Sequence, residues 1–538
     1  MRHAFFLAAL AAAPAFAQLN GTIGSPDGAL EGVVVSVRKE GSPVTVSVVT
    51  DASGRFAFPA GRLEPGRYAL RIRASGYQLD SPLTAEIGDG NATAVELMLR
   101  KSADLGAQLT NAEWLASMPG SDEQKKFLYS CVGCHTLERV AKSTHDAAGF
   151  VQVMKRMAGY TNNSHAERPQ VRLVARDPMR DFGPNIERDA AFLASVNHGP
   201  AAQPYALRTL PRASGKGTRV VITEYQLPRK PMMPHDVIID GDGIAWMSLF
   251  DEQFLGRYDP RTLQYTEFAI PVQRPDFPKG TLDLEVDPQG NLWLSHMFQS
   301  GAVKFDKRTQ KFQAFPLPKE RQNEHTQQSM VGPQRWTVDG KLWINDAGIP
   351  GMHRVDMKTG KWETWKPYEN MKGPHSVYGI YADSKNNIFF MDFGGENVGR
   401  IDARTGELKL FPTPTPRSRP RRGRMDDEDR IWFAEWRAEK IGMFDTRSEK
   451  FREWPLPAGI RYFAPYDVVR DRTGKVWTAG MNSDRVLRLD LETGEYAEYP
   501  LPSQTNVRRV FVDNRTTPPT FWVGNNHHAA LVKVEPLD

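Results

Sequence analysis

Apolar positions follow three different periods along the chain. From 18 to 101 they come in short alternating runs. Val33-Val34-Val35-Ser36-Val37 and Val44-Thr45-Val46-Ser47-Val48-Val49 are rich in β-branched residues, a turn signal follows at Asp51 to Gly54, and Phe56-Ala57-Phe58 and Tyr68 to Ile72 flank a second turn at Pro65-Gly66. Branched side chains suit a pleated, half-buried surface, so this stretch predicts a small antiparallel sandwich of about seven strands. Over 102–198 the spacing turns helical: Phe127, Cys131 and Cys134 recur at one face, then Phe150, Val151, Val153 and Met154. Asn111 to Trp114 and Ser121 to Glu123 read as helix starts with acidic first turns, and Arg188 to Val196 as a closing helix. Together they predict a small all-α domain. Residues 199–217, rich in Gly, Pro, Ala and Ser, read as a linker.

From 218 to 538 the pattern repeats. An aromatic recurs in a strand after a turn at Trp246, Trp293, Trp343, Phe389, Trp432, Trp477 and Trp522, neighbours lying 43 to 50 residues apart. A further strand follows each, as in Gly256-Arg257-Tyr258-Asp259 and Gly442-Met443-Phe444-Asp445, and then the fourth element, as in Tyr265-Thr266-Glu267-Phe268. A period near 45 with four short strands per unit predicts a seven-bladed β-propeller, because one such sheet cannot bury both faces and must stack on its neighbours. Ile222 to Pro228 reads as a fourth strand placed ahead of the first blade, while the last blade stops after its third. The early strand is expected to complete the late blade and remove an open edge. The fold class expected is therefore multidomain and mainly β: a sandwich, a small all-α domain and a seven-bladed propeller.

Composition narrows the classes. The 538 residues are 40% hydrophobic and 25% charged, ordinary for globular protein. A net charge of +5 is too small to argue for nucleic acid. Met1 to Ala17 reads as a signal peptide, with Arg2 and His3, an apolar run from Phe5 to Ala13, and Ala15-Phe16-Ala17 as the cleavage site. No later run is long and apolar enough to span a bilayer. Export to a periplasm is expected.

The chemistry centres on Cys131-Val132-Gly133-Cys134-His135, which holds both cysteines of the chain. C-x-x-C-H is the attachment site of a c-type haem: two thiols reach the two vinyl groups of one porphyrin and the histidine offers a ring nitrogen to the iron. A structural zinc site usually takes four protein ligands, often several of them Cys, and two cysteines do not supply them. One covalent haem c is the cofactor expected, with Cys131, Cys134 and His135 binding it. A methionine as the second axial ligand suits electron transfer, and Met154, Met157 and Met179 are the candidates.

Three resemblances add to this. Thr50 to Phe58, then Gly66-Arg67-Tyr68 and Gly76-Tyr77, resemble the carboxypeptidase regulatory-like domain, an accessory sandwich. The helical stretch resembles a class I cytochrome c domain. Its segment Gly149 to Met157 is similar to the W-x-x-x-V-x-R-M pattern that supplies an axial methionine, with Phe150 at the tryptophan position; this implies Met157, and the loop position of Met179 is the alternative. The repeats, with P-H-x-V-x-x-D-x-x-G-x-x-W, I-G-R-x-D and an E-F/Y-x-L-P strand, resemble the virginiamycin B lyase family. That likeness implies a magnesium ion and a general base held by His and Glu residues, with His235 and Glu435 at matching positions.

Counting back from the blade aromatics gives His235, His375, Arg421, Tyr466 and Arg508 as channel-facing ligand candidates, with His296, Asp346, Asp392, Glu435 and Asn525 at second-strand ends. Each has a plainer reading: a packed histidine, Glu435 paired with Arg437 or Lys440, and the run Arg417 to Arg424 as a solvated loop ahead of the innermost strand. His527-His528 is a weak metal pair. Three functions stay open. The first is a periplasmic electron-transfer protein whose propeller binds a small molecule or a partner protein. The second is a magnesium-dependent carbon–oxygen lyase with an appended cytochrome, and the third a non-enzymatic scaffold.

Overall fold

The computed structural model describes residues 18–88, 92–173, 183–198, 205–332 and 339–538. The signal segment and Met179 lie outside them.

The sandwich is two four-stranded layers, eight strands where about seven were expected. Val35, Val37, Phe56, Phe58, Leu70 and Leu97 fill the space between them. One layer does not end at its own edge. Strand Val44–Val49 pairs antiparallel with Val220–Gln226, Ser47 opposite Ile222. Val220–Gln226 pairs on its other side with Ala530–Pro536, Ile222 opposite Val534. The early strand thus closes the seventh blade as expected, and it also welds that blade to the sandwich in one eight-stranded sheet.

The other six blades are separate four-stranded sheets. The blade aromatics all sit on second strands and are buried. Four of the tryptophans donate their indole N–H to an aspartate six residues earlier: Trp246 to Asp240 at 2.8 Å, Trp293 to Asp287 at 2.9 Å, Trp432 to Asp426 at 2.9 Å and Trp477 to Asp471 at 2.7 Å. That bond pins the turn to the strand and satisfies a buried donor. Apolar clusters between blades close the ring, for example Trp246, Leu255, Leu294 and Phe305 between the first and second blades, and Met247, Leu249, Trp522 and Leu531 between the first and the seventh.

The compact all-α cytochrome domain expected over 102–198 is not formed. Among the described residues this stretch has five short α-helices: α1 (Asn111–Ser117), α2 (Asp122–Lys125), α3 (Glu138–Ala141), α4 (Ala147–Ala158) and α5 (Ile186–Ser195). Their apolar side chains do not close on one another alone. Trp114, Leu128, Val132, Phe150 and Leu193 share one cluster with Phe250, Met297, Tyr378, Tyr466 and Met481 of the propeller. The segment is a cap on the propeller mouth, and half of its core is supplied by the blades. Polar ties agree: Ala112 N–H donates to Asn482 O at 2.8 Å, Asn163 Nδ2 donates to Phe250 O at 3.0 Å, and Arg168 pairs with Asp251 at 2.6 Å. The end of the expected linker is a fixed strap, Leu210 N–H bonding Glu113 at 3.0 Å and Arg212 bonding Glu31 O at 2.9 Å. Among the described residues no helix is long and apolar enough to cross a membrane.

Candidate functional site at the propeller mouth

The first strand of each blade runs along the channel. Aligned on the blade aromatics, His235, Tyr378, Arg421, Tyr466 and Arg508 occupy one position, and Asp236, Gly379, Arg422, Asp467 and Arg509 the next. In blades one, four, five and six the ladder is irregular at this pair. A bulge there re-aims side chains, and in blades one, five and six consecutive residues both reach partners on other blades.

The lower tier is a network of ion pairs. Arg422 donates to both oxygens of Asp236 at 2.9 Å and to Asp283 at 2.7 Å. Arg509 lies 3.1 Å from Asp236 and 3.0 Å from Glu285, and Arg424 lies 3.3 Å from Asp467. Burial by itself would raise Asp236, but the Arg422 and Arg509 charges and the His235 bond hold it well below the usual carboxylate range.

The upper tier is different. His235 is fully buried, and burial pushes it down to about 3, so the ring is neutral. Its Nδ1 lies 2.7 Å from Asp236, an ionised acceptor, so Nδ1–H donates and Nε2 is left to accept from Tyr466 Oη at 3.3 Å. Tyr466 Oη is 2.5 Å from Tyr378 Oη. Arg421 lies over the Tyr466 ring, Cζ 4.0 Å from its centroid, and over Phe393 at 4.4 Å. Arg508 stands 5.5 Å from the rings of Phe250 and Tyr466.

The C-x-x-C-H segment lies directly above. It is the end of a 3-10 helix over Lys126–Gly133, not an α-helix. Val132 O accepts from Asn506 Nδ2 at 3.1 Å and His527 Nε2 at 3.0 Å, and Gly133 O accepts from Arg508 at 3.2 Å. Tyr129 meets Trp436 edge-on at 5.1 Å. Both thiols are free and half-buried, and burial pushes Cys131 up to about 12 and Cys134 upward. His135 Nδ1 is 3.0 Å from Thr136 O. A carbonyl only accepts, so Nδ1 carries the proton and Nε2 keeps its lone pair.

His235, Arg421, Tyr466 and Arg508 are therefore brought together and the other candidates are not. His375 forms a separate pair with Asp392 at 2.8 Å, stacked on Tyr368. His296 is held down to about 3 by burial beside Gln253. Asp346 accepts the main-chain N–H of Gln327, Gly348 and Ile349, and Asn525 that of His527. His527 Nε2–H donates to Val132 O, and among the described residues no cluster of three His, Cys, Asp or Glu is placed to hold a metal ion. The basic run is not a solvated loop beyond Arg419: Arg421 and Arg422 are buried in the innermost strand Pro420–Met425. Arg422, Arg509, Asp236, Asp283 and Tyr378 were missed in the sequence, although the recurrence of an Asp or Arg one place after His235, Arg421, Tyr466 and Arg508 was visible.

Glu435 and His235, joined by the lyase likeness, share no hydrogen bond or ion pair. Glu435 is buried, and its cross-strand neighbour Lys440 spends its ammonium on Glu453 and Thr415 instead. Burial, then the Glu453 charge, pushes Glu435 up to about 8. An acid whose native value is raised costs stability as pH climbs from its unfolded value to its native one. Glu435→Gln is expected to match the parent near pH 4 and exceed it by on the order of a few kcal/mol at pH 8 and above. Thermal unfolding across that range checks this, and equal stability at both ends refutes it.

Comparisons with known proteins agree with this architecture. Residues 217–479 match the virginiamycin B lyase family model and residues 18–100 the carboxypeptidase regulatory-like domain. Among curated proteins none matches in sequence. A streptogramin B lyase structure is 19% identical with a TM-score of 0.52, over 60% of this chain and 99% of that one. A catalytically inactive virginiamycin B lyase from Staphylococcus aureus with quinupristin is also 19% identical, TM-score 0.50, over 58% of this chain and 98% of its own. Likeness at that identity shows the fold, and propellers host many unrelated activities. The chain thus joins a carboxypeptidase regulatory-like domain to a virginiamycin B lyase-like propeller, with a C-x-x-C-H segment seated on the propeller mouth.

Proposed function

We propose that this is an exported haem-c protein in which the propeller is a binding scaffold that seats the haem and meets an electron-transfer partner protein. Cys131 and Cys134 would carry the porphyrin through two thioethers, and His135 Nε2 would face the iron. When bound, the haem supplies a one-electron couple. The observation that carries the reading is the seating of the motif: two of its carbonyls are held by three blade-seven side chains, the buried Asn506 and Arg508 and the half-buried His527. A segment so held offers both thiols and one histidine lone pair at a fixed place. The bond from His135 Nδ1 to Thr136 O fixes the tautomer that a metal-ligating histidine uses. Met154 is buried in the core, so the half-buried Met157, in the last turn of α4, would be the further residue to hold the iron, with Met179, outside the described residues, the alternative.

Full-length protein from a host that matures c-type haem should be coloured and keep its pigment through acid–acetone extraction. Cys131→Ser with Cys134→Ser should lose it. Colourless protein, or pigment that extracts, rejects the reading.

A further inference from the structure

The two tiers of the mouth treat their arginines differently. In the lower tier Arg422, Arg424 and Arg509 each meet a carboxylate. In the upper tier Arg421 and Arg508 are 8% and 5% exposed, and among the described residues no carboxylate lies within ion-pair reach of either. Arg421 donates to Met481 Sδ at 3.1 Å, a weak acceptor, and Arg508 to Asn506 and the Gly133 carbonyl. An uncompensated buried charge costs several kcal/mol. Two sit here on either side of Tyr466.

Arg421 and its neighbour Trp436 carry donors without partners. Arg421 Nε, Trp436 Nε1 and the side-chain amide of Asn482 are buried and have no hydrogen-bond partner. Trp436 lies 5.6 Å from the Arg421 guanidinium, and Asn482 follows Met481. Two guanidinium forks and orphaned N–H groups call for an anion with paired oxygens. The walls are Phe250, Phe393, Trp436 and the two tyrosines, which suit an apolar, flat body. Burial depresses Arg508, and the Arg421 charge adds to this.

We propose that Arg421 and Arg508 form a receptor for a carboxylate carried on an apolar body, lodged between the Val132-Gly133 turn and the propeller mouth. The carboxylate has two sources. One is the propionate arms of a haem tethered at Cys131 and Cys134, which rests on the function proposed above. The other is a free aromatic acid entering the mouth, which does not.

The test uses full-length protein in two forms, haem-matured and Cys131→Ser/Cys134→Ser, with benzoate as the probe in calorimetry and the midpoint potential as a second readout. If propionates fill the receptor, Arg421→Gln and Arg508→Gln each lower the potential, because a positive charge that disfavoured the oxidised iron is gone. Benzoate then binds only the serine form. If a free acid fills it, both forms bind benzoate, and each Gln change weakens this roughly tenfold or more. Unmoved potentials together with no benzoate binding overturn the receptor, and so does binding that both Gln variants keep at parental strength. Should no haem attach at all, the benzoate arm decides, so the two proposals fail separately. Where a Gln variant does not fold, Arg508→Lys keeps the charge but not the fork; unchanged benzoate affinity of its serine form overturns the receptor, and weakened binding supports it.

Discussion

Asp236→Ala is expected to cost the chain roughly 3–5 kcal/mol, because it strips the shared carboxylate from two buried guanidiniums. Arg422 loses both of its 2.9 Å bonds and Arg509 its 3.1 Å bond, and none of the three side chains reaches solvent. Asp283 keeps Arg422 at 2.7 Å and the half-buried Glu285 keeps Arg509 at 3.0 Å, but the fully buried carboxylate that both cations shared is gone. The loss travels upward as well. His235 Nδ1–H is left without its acceptor, which frees the ring that accepts from Tyr466. The native Asp236 value lies below the unfolded one, so its contribution is present above about pH 4 and lost as pH falls through the native value. Urea unfolding of parent and variant should diverge at pH 7 and converge in acid. A difference under about 1 kcal/mol at pH 7 would show that the network is not what holds the axis.

The parts of the fold that could be read in the sequence are those whose cause is local. A blade announces itself because its tryptophan bonds an aspartate six residues back, so both must recur at that spacing. Blade four shows the same logic with Phe389, which has no N–H to give: there Asn387 donates to Asp383 at 2.9 Å in its place. The cap is the opposite case. Helical spacing at Phe150, Val151 and Met154 says which face is apolar, not what covers it. Phe150 and Met154 are buried as expected, yet their cluster includes propeller residues far along the chain, such as Phe250 and Tyr466. An independent cytochrome-like core was therefore the wrong inference from a correct helix reading.

The site divides the same way. His235, Arg421, Tyr466 and Arg508 emerged by counting along one strand at a time. The lower tier did not, because simple alternation sends the next residue to the opposite face, and a bulge in the ladder brings it back to the axis. The pairing of Arg422 with Asp236 also spans 186 positions, beyond any local signal. Glu435 matched a family pattern in sequence, but its side chain shares the blade face of Glu453 rather than the channel with His235.

Ile222→Pro is the second large effect expected. Strand Val220–Gln226 is interior to the eight-stranded sheet, with a partner on each side. Whichever way the Ile222 N–H points, it faces a paired strand, so proline removes a ladder bond and leaves a buried carbonyl without its donor. The ring also fixes φ near −65°, away from the extended value a strand holds. The cost is about 3 kcal/mol or more, before the loss of a side chain that is fully buried beside Val34, Val523 and Val532. One strand closes the propeller and anchors the sandwich, so the damage should not stay in one unit. Parent protein should melt in a single transition, and the variant should show the sandwich and an opened propeller melting apart, with benzoate binding lost at the lower step. A variant whose propeller still melts with the parent would mean that the ring closes without this strand.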